Sequence, residues 1–173
     1  MQRLKIVSFK KETDTRLNIK VDAQRRSLKA ILLLFIEPHG EGTRDSEKYI
    51  FPDLTKVSVT INGSPNMIFN DGIEGNNIWE EAHRFFVKEK NKIEHMNATK
   101  FYTDDKFGLL INTRSMVDQS MHGSGTHIVN STDGVQLEIE RKAEGSGDVK
   151  CHIFVISDSQ FNIMDRQFDS LQN

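Results

Sequence analysis

The chain has 173 residues, 36% of them hydrophobic, which is enough for one core and too little for two comfortable ones. A formal net charge of −2, with 28% charged residues, removes any general electrostatic pull toward nucleic acid or anionic lipid. The one cysteine, Cys151, excludes an internal disulfide and a cysteine-built structural zinc site, and inside its apolar run it reads as a small core residue.

The first ten residues hold no apolar run of secretory length and no small-residue cleavage site. The longest apolar stretch, Ala30 to Ile36, is far too short to span a bilayer. The expectation is an intracellular protein, cytoplasmic or nuclear, or one released only within a particle. The Asn-x-Ser/Thr triplets at Asn62, Asn97 and Asn130 then read as chance matches.

Along the chain the dominant period is two. Leu17, Ile19 and Val21 alternate with Arg16, Asn18 and Lys20, giving a strand with one apolar and one wet face. Leu28 to Ile36 is apolar almost throughout and suits a central strand covered on both faces, although periodicity alone leaves a short buried helix open. Alternation returns at Val57, Val59 and Ile61. Asn62-Gly63 follows, a strong hairpin signal in which Pro65 is expected to widen the turn before Met67-Ile68-Phe69.

From about 77 to 90 the spacing changes to three and four. Ile78, Trp79, Ala82, Phe85 and Phe86 mark one helix, with Asn76 or Asn77 as N-cap and Glu80 and Glu81 in its first turn. Strand patterns resume at Phe107–Ile111, at Val135, Leu137 and Ile139, and at Ile153–Ile156, with Glu144-Gly145-Ser146-Gly147-Asp148 as the turn between the last two. About eight antiparallel strands and one inserted helix make an all-β sandwich or a jelly roll, expected as a single domain over 1–173.

The chemistry-bearing residues do not converge. None of the six histidines forms a metal-spaced pair, and His122 and His127, flanking Gly123-Ser124-Gly125, would need Asp118 or Asp133 to complete a site. Gly123-Ser124-Gly125 lacks the preceding strand and following helix of a nucleophile elbow, and no Gly-Lys-Ser/Thr opens a helix as in a phosphate loop. Glu138 and Glu140 lie on the wet face of one strand, where solvated charge is the plain reading. No catalytic residue, metal or cofactor is expected. A lectin-like binding module is the alternative, with Trp79, Tyr49 and Tyr102 as its aromatic platforms, although the helical spacing of Trp79 with Phe85 and Phe86 makes it a core anchor. A cupin-like metal enzyme would need His122, His127 or His152 to meet a carboxylate.

Several strings, taken in order, carry a resemblance. They are Arg26-Ser27-Leu28-Lys29-Ala30-Ile31, Arg44-Asp45-Ser46-Glu47, Phe51-Pro52, Val59 to Asn66 with Pro65, and Trp79-Glu80-Glu81-Ala82 with Arg84-Phe85-Phe86. Then come His122-Gly123-Ser124-Gly125, Gly134-Val135, Cys151-His152-Ile153-Phe154, and Ser157-Asp158 with Gln160-Phe161-Asn162. The set, from about Arg25 to Gln172, resembles the C-terminal part of major capsid proteins of polinton-like and adintovirus-like DNA viruses, of which integrated copies are found in animal genomes. The resemblance implies a jelly-roll capsid protein located in the virion, viral or domesticated. Its partners would be copies of itself, in a trimer or higher homo-oligomer, and other capsid subunits, with no membrane and no specific nucleic acid. The family's chain holds two jelly rolls and this sequence has room for one, which implies an apolar face left exposed or hidden by self-association. Arg26, Arg44, Asp45, Pro65, Trp79, Phe85, His122, Gly123 and Gly125 are the candidate structural or interface residues. The polar stretches Pro38 to Tyr49 and Arg114 to Asp133 are expected as surface or interface loops.

Overall fold

The computed structural model describes the backbone of residues 2–9, 160–164 and 167–171 and, with side chains, residues 15–21, 27–37, 49–65, 71–81, 107–113, 125, 126, 128, 134–142 and 148–157. Its strands are β1 (Gln2–Phe9), β2 (Arg16–Val21), β3 (Leu28–Ile36), β4 (Leu54–Ile61), β5 (Ser64–Pro65) and β6 (Ile73–Glu74), then β7 (Gly108–Asn112), β8 (Val135–Arg141), β9 (Val149–Ser157), β10 (Gln160–Met164) and β11 (Gln167–Leu171). A helix, α1, begins at 76 and is described to 81. The protein is all-β with antiparallel pairing, and its described residues include one inserted helix.

The pairings nest. β4 pairs with β5, β3 with β7, β2 with β8 and β1 with β9. These are the rungs of one long hairpin closed by Asn62 and Gly63. The hairpin is rolled so that β9 also pairs with β3, and β8 with β4. Two sheets result: a four-stranded one in the order β1-β9-β3-β7, and a five-stranded one in the order β2-β8-β4-β5, with β6 also on β4. The chain crosses from one sheet to the other at each successive long strand. β10 and β11 pair with each other as a separate hairpin.

One core joins the sheets. Ile31, Leu33 and Phe35 of β3, Leu109 and Ile111 of β7, and Cys151, Ile153 and Val155 of β9 come from the four-stranded sheet. Ile19 and Val21 of β2, Val57 and Val59 of β4, and Val135, Leu137 and Ile139 of β8 come from the other. Every second residue of β2, β4, β7, β8 and β9, and most of β3, is thus removed from water, and each such Val, Leu or Ile contributes about 1.5–3 kcal/mol. At one end the chain at Tyr49-Ile50 splices between β3 and Phe107: Ile50 N donates to Phe35 O at 2.9 Å, and Phe107 N donates to Tyr49 O at 2.8 Å. That splice sets Phe51 edge-to-face on Phe107, with centroids 4.9 Å apart, while Phe35 lies 6.1 Å from the same ring.

Three sequence expectations change. The described strands number eleven, not eight. β5 and β6 are two residues long and too short to alternate, and the register shift between Arg3 and Lys5 breaks the phase of β1. Pro65 does not widen the turn, because Asn62 (φ 54°) and Gly63 (φ 77°) alone close it and Pro65 pairs with Thr60 inside β5. Positive φ at both central residues is the twist-matched two-residue hairpin turn, and β5 is an edge where a proline is tolerated. The N-cap of α1 is Gly75, not Asn76 or Asn77: the helix starts at 76 and Ile78 N donates to Gly75 O at 3.3 Å. Leu28 to Ile36 is a strand, which resolves the helix alternative. The remainder of the expected helix, 82–90, and the segment Met67-Ile68-Phe69 lie outside the described residues.

Candidate functional site

The two sheets present opposite chemistry on the faces turned away from the core. On the five-stranded sheet the outward positions of β2 are Arg16, Asn18 and Lys20, all exposed. Register aligns Arg16 with Glu140, Glu140 with Lys56, and Lys56 with Glu74. A row of alternating charge therefore crosses β2, β8, β4 and β6. Arg16 Nε donates to Glu138 and lies 3.5 Å from Glu140, and Lys56 Nζ lies 3.9 Å from Glu74. The Glu138 hydrogen bond and charge hold the Arg16 guanidinium still more firmly protonated than usual. This is a solvated, self-balanced face. Opposite charges directly across a ladder stabilise a sheet modestly and leave little for a partner to neutralise.

The outer face of the four-stranded sheet is the reverse. Its ladder positions are Ala30, Leu32, Leu34 and Ile36 on β3, Gly108, Leu110 and Asn112 on β7, and Lys150, His152, Phe154 and Ile156 on β9. Leu34, Ile36, Leu110, Phe154 and Ile156 are half-buried. The His152 and Phe154 rings stack at 6.5 Å. Ala30, Leu32 and Gly108 in its middle are buried, and Lys150 sits exposed at its rim. The continuous apolar run of β3 follows from this: its core-facing and outward positions are both apolar.

A third feature ties loop to sheet. Gly125 N donates to Ser27 Oγ at 3.0 Å. Thr126 N and Leu28 O, and Leu28 N and Thr126 O, pair at 2.8 and 2.9 Å. Thr113 Oγ1 donates to Leu28 O at 2.6 Å, and Thr126 Oγ1 to Thr113 O at 2.7 Å. The stretch leaving β7 at Thr113 and returning at Gly125 is thus pinned at both ends to the start of β3. A Cβ on Gly125 would meet the Leu28 backbone, so only glycine lets the two strands of chain approach this closely.

Of the sequence candidates, Pro65 is exposed in β5, Trp79 is half-buried in α1 and packs on the core, and Gly125 forms the clasp just described. The three stand in separate places. Arg26, Arg44, Asp45, Phe85, His122 and Gly123 lie outside the described residues, as do His127, Asp118, Asp133 and Tyr102. Tyr49 is half-buried and its carbonyl serves the Phe107 splice. Cys151 is fully buried, and burial pushes its thiol well above the usual range. Sequence reasoning did not single out Arg16, Leu110, Phe154 or Ile156. Their roles depend on strand register, which no local pattern carries.

Among the described residues no group of three His, Cys, Asp or Glu side chains is placed to hold a metal ion, and no helix is long and apolar enough to cross a membrane. No protein-family model matches the sequence. No curated protein matches it either.

Proposed function

We propose that this chain is a capsid-type structural subunit, a jelly roll that associates with copies of itself in a viral shell or in a host-retained derivative of one. The observation that carries the reading is the strand order. A long antiparallel hairpin, rolled so that β1-β9-β3-β7 faces β2-β8-β4-β5, is the pattern expected when two Greek keys share one sandwich. Fold alone does not decide function. Two further features support the choice. The ordered strings from Arg25 to Gln172 resemble capsid proteins, and the apolar outer face on β3, β7 and β9 offers a contact of the kind that builds homo-oligomers.

Multi-angle light scattering across a wide concentration range, with electron microscopy of the concentrated sample, tests the proposal. Mass above one chain that grows with concentration is expected. A strict monomer with no assemblies at the highest concentration overturns it.

A further inference from the structure

We propose that the hairpin tip at Asn62-Gly63 is a site of spontaneous covalent modification gated by the fold: the Asn62 amide converts to an aspartyl or isoaspartyl linkage when the turn opens, and not while it is closed. Asn62-Gly63 is the chain's one Asn-Gly pair, and Asn62, Gly63, Ser64 and Pro65 are all exposed. The chemistry needs no partner but water. Hydroxide removes the proton from Gly63 N, which attacks Asn62 Cγ. The N–Cγ bond forms, the Cγ–Nδ2 bond breaks, and the released nitrogen takes a proton from water and leaves as ammonia. Glycine favours the attack because it has no side chain to obstruct its own nitrogen. Water then opens the five-membered ring at either carbonyl. Opening at Cγ gives an aspartyl residue. Opening at the main-chain carbonyl gives an isoaspartyl linkage, in which the side-chain methylene has become part of the backbone.

The structure sets when this happens. Positive φ at Asn62 (54°) and Gly63 (77°), with Ile61 paired to Ser64, is the mirror-image type I hairpin turn. In that turn Asn62 Cβ and Gly63 N stand on nearly opposite sides of the Asn62 Cα–C bond, whereas ring closure needs them eclipsed. The bond cannot rotate that far while the tip is anchored, and it is anchored twice. Thr60 and Ile61 pair with Pro65 and Ser64, and Asn62 N donates to Gly134 O at 2.9 Å. Attack therefore waits on local opening of the hairpin. The isoaspartyl product does not return to the starting state. It puts an extra backbone atom between Ile61 and Ser64, and a two-residue turn fixes register too tightly to absorb it. β5 is then lost from the edge of β4.

Peptide mapping by mass spectrometry, with enzymatic methyl labelling of isoaspartate, tests this on the full-length protein held at mildly alkaline pH in buffer and in denaturing urea. Conversion at position 62 is expected in both, slower in buffer by about tenfold or more, and faster in each as pH rises. Asn62→Gln, whose longer side chain closes a ring poorly, is expected to remove the label from that peptide. In the converted native protein, hydrogen exchange at the Ile61 and Ser64 amides is expected to speed up. Comparable rates in buffer and in urea overturn the gating. Conversion in urea with none in buffer overturns the site as a feature of the native protein. Converted protein in which the Ile61 and Ser64 amides stay protected overturns the loss of β5.

Discussion

A Cβ on Gly125 would lie 2.3 Å from the carbonyl oxygen of Leu28, closer than side-chain carbons come to any backbone oxygen. The same carbonyl accepts from Thr126 N at 2.8 Å and from Thr113 Oγ1 at 2.6 Å, so it cannot retreat without breaking those bonds. Gly125→Ala therefore lowers stability by about 1–3 kcal/mol, the usual cost of forcing atoms into a filled space. Thr126→Ser, which keeps the hydroxyl bond to Thr113 O, costs well under that. Urea denaturation of the two variants checks the order.

The turn at Asn62-Gly63 gives a kinetic prediction. Gly63 sits at φ 77°, where a branched side chain is strained. Gly63→Val is expected to cost about 1–3 kcal/mol. This turn closes the long hairpin on which the later rungs are laid. Most of the loss should then appear as slower folding instead of faster unfolding. Stopped-flow refolding with matched unfolding rates decides between the two.

Phe107 is 1% exposed and contacts the rings of both Phe35 and Phe51. Phe107→Ala should cost about 3–5 kcal/mol through lost burial and the cavity left behind. Phe51→Ala should cost less, because Phe51 is only half-buried. Paired thermal and urea melts read out the difference.

Burial raises the Cys151 thiol in the folded chain, so the neutral form is favoured by folding. That contribution is complete below the unfolded thiol's pKa of about 8.5 and is lost as pH rises beyond it, because the unfolded chain alone can then ionise. The loss approaches about 1.4 kcal/mol per pH unit. Cys151→Ala should remove this part of the slope between roughly pH 9 and 10.5. A thiol reagent should react with the native protein only at the rate of unfolding.

How much of this was legible follows from what each strand faces. β2, β4 and β8 have water on one side, so their apolar residues fall at every second position and stand out in the sequence. β3 is apolar on both sides and reads as an unbroken run, which shows burial and conceals direction. β1 is obscured by its register shift, and β5 and β6 by their length. Beyond the hairpin that Asn62-Gly63 announces between β4 and β5, pairing was not legible. Arg16 and Glu138 are 122 positions apart, and only the ladder between β2 and β8 brings them together. The role of Gly125 was hidden for the same reason: a glycine pressed against a distant carbonyl and a glycine in a loose loop look identical in a Gly-Ser-Gly string.

The placement of β9 bears on how the protein is made. β9 lies between β1 and β3 and is the last strand of that sheet to leave the ribosome. Until it emerges, among the described strands β1 has no ladder partner and β3 has only β7. The earlier strands of that sheet must therefore wait, part-assembled and with apolar edges open, for one that comes about 36 residues after β7. Such long-range closure is slow and exposes sticky intermediates. Synthesis at high levels should thus depend on chaperone capacity, and premature termination before Val149 should yield aggregate in place of a smaller folded product.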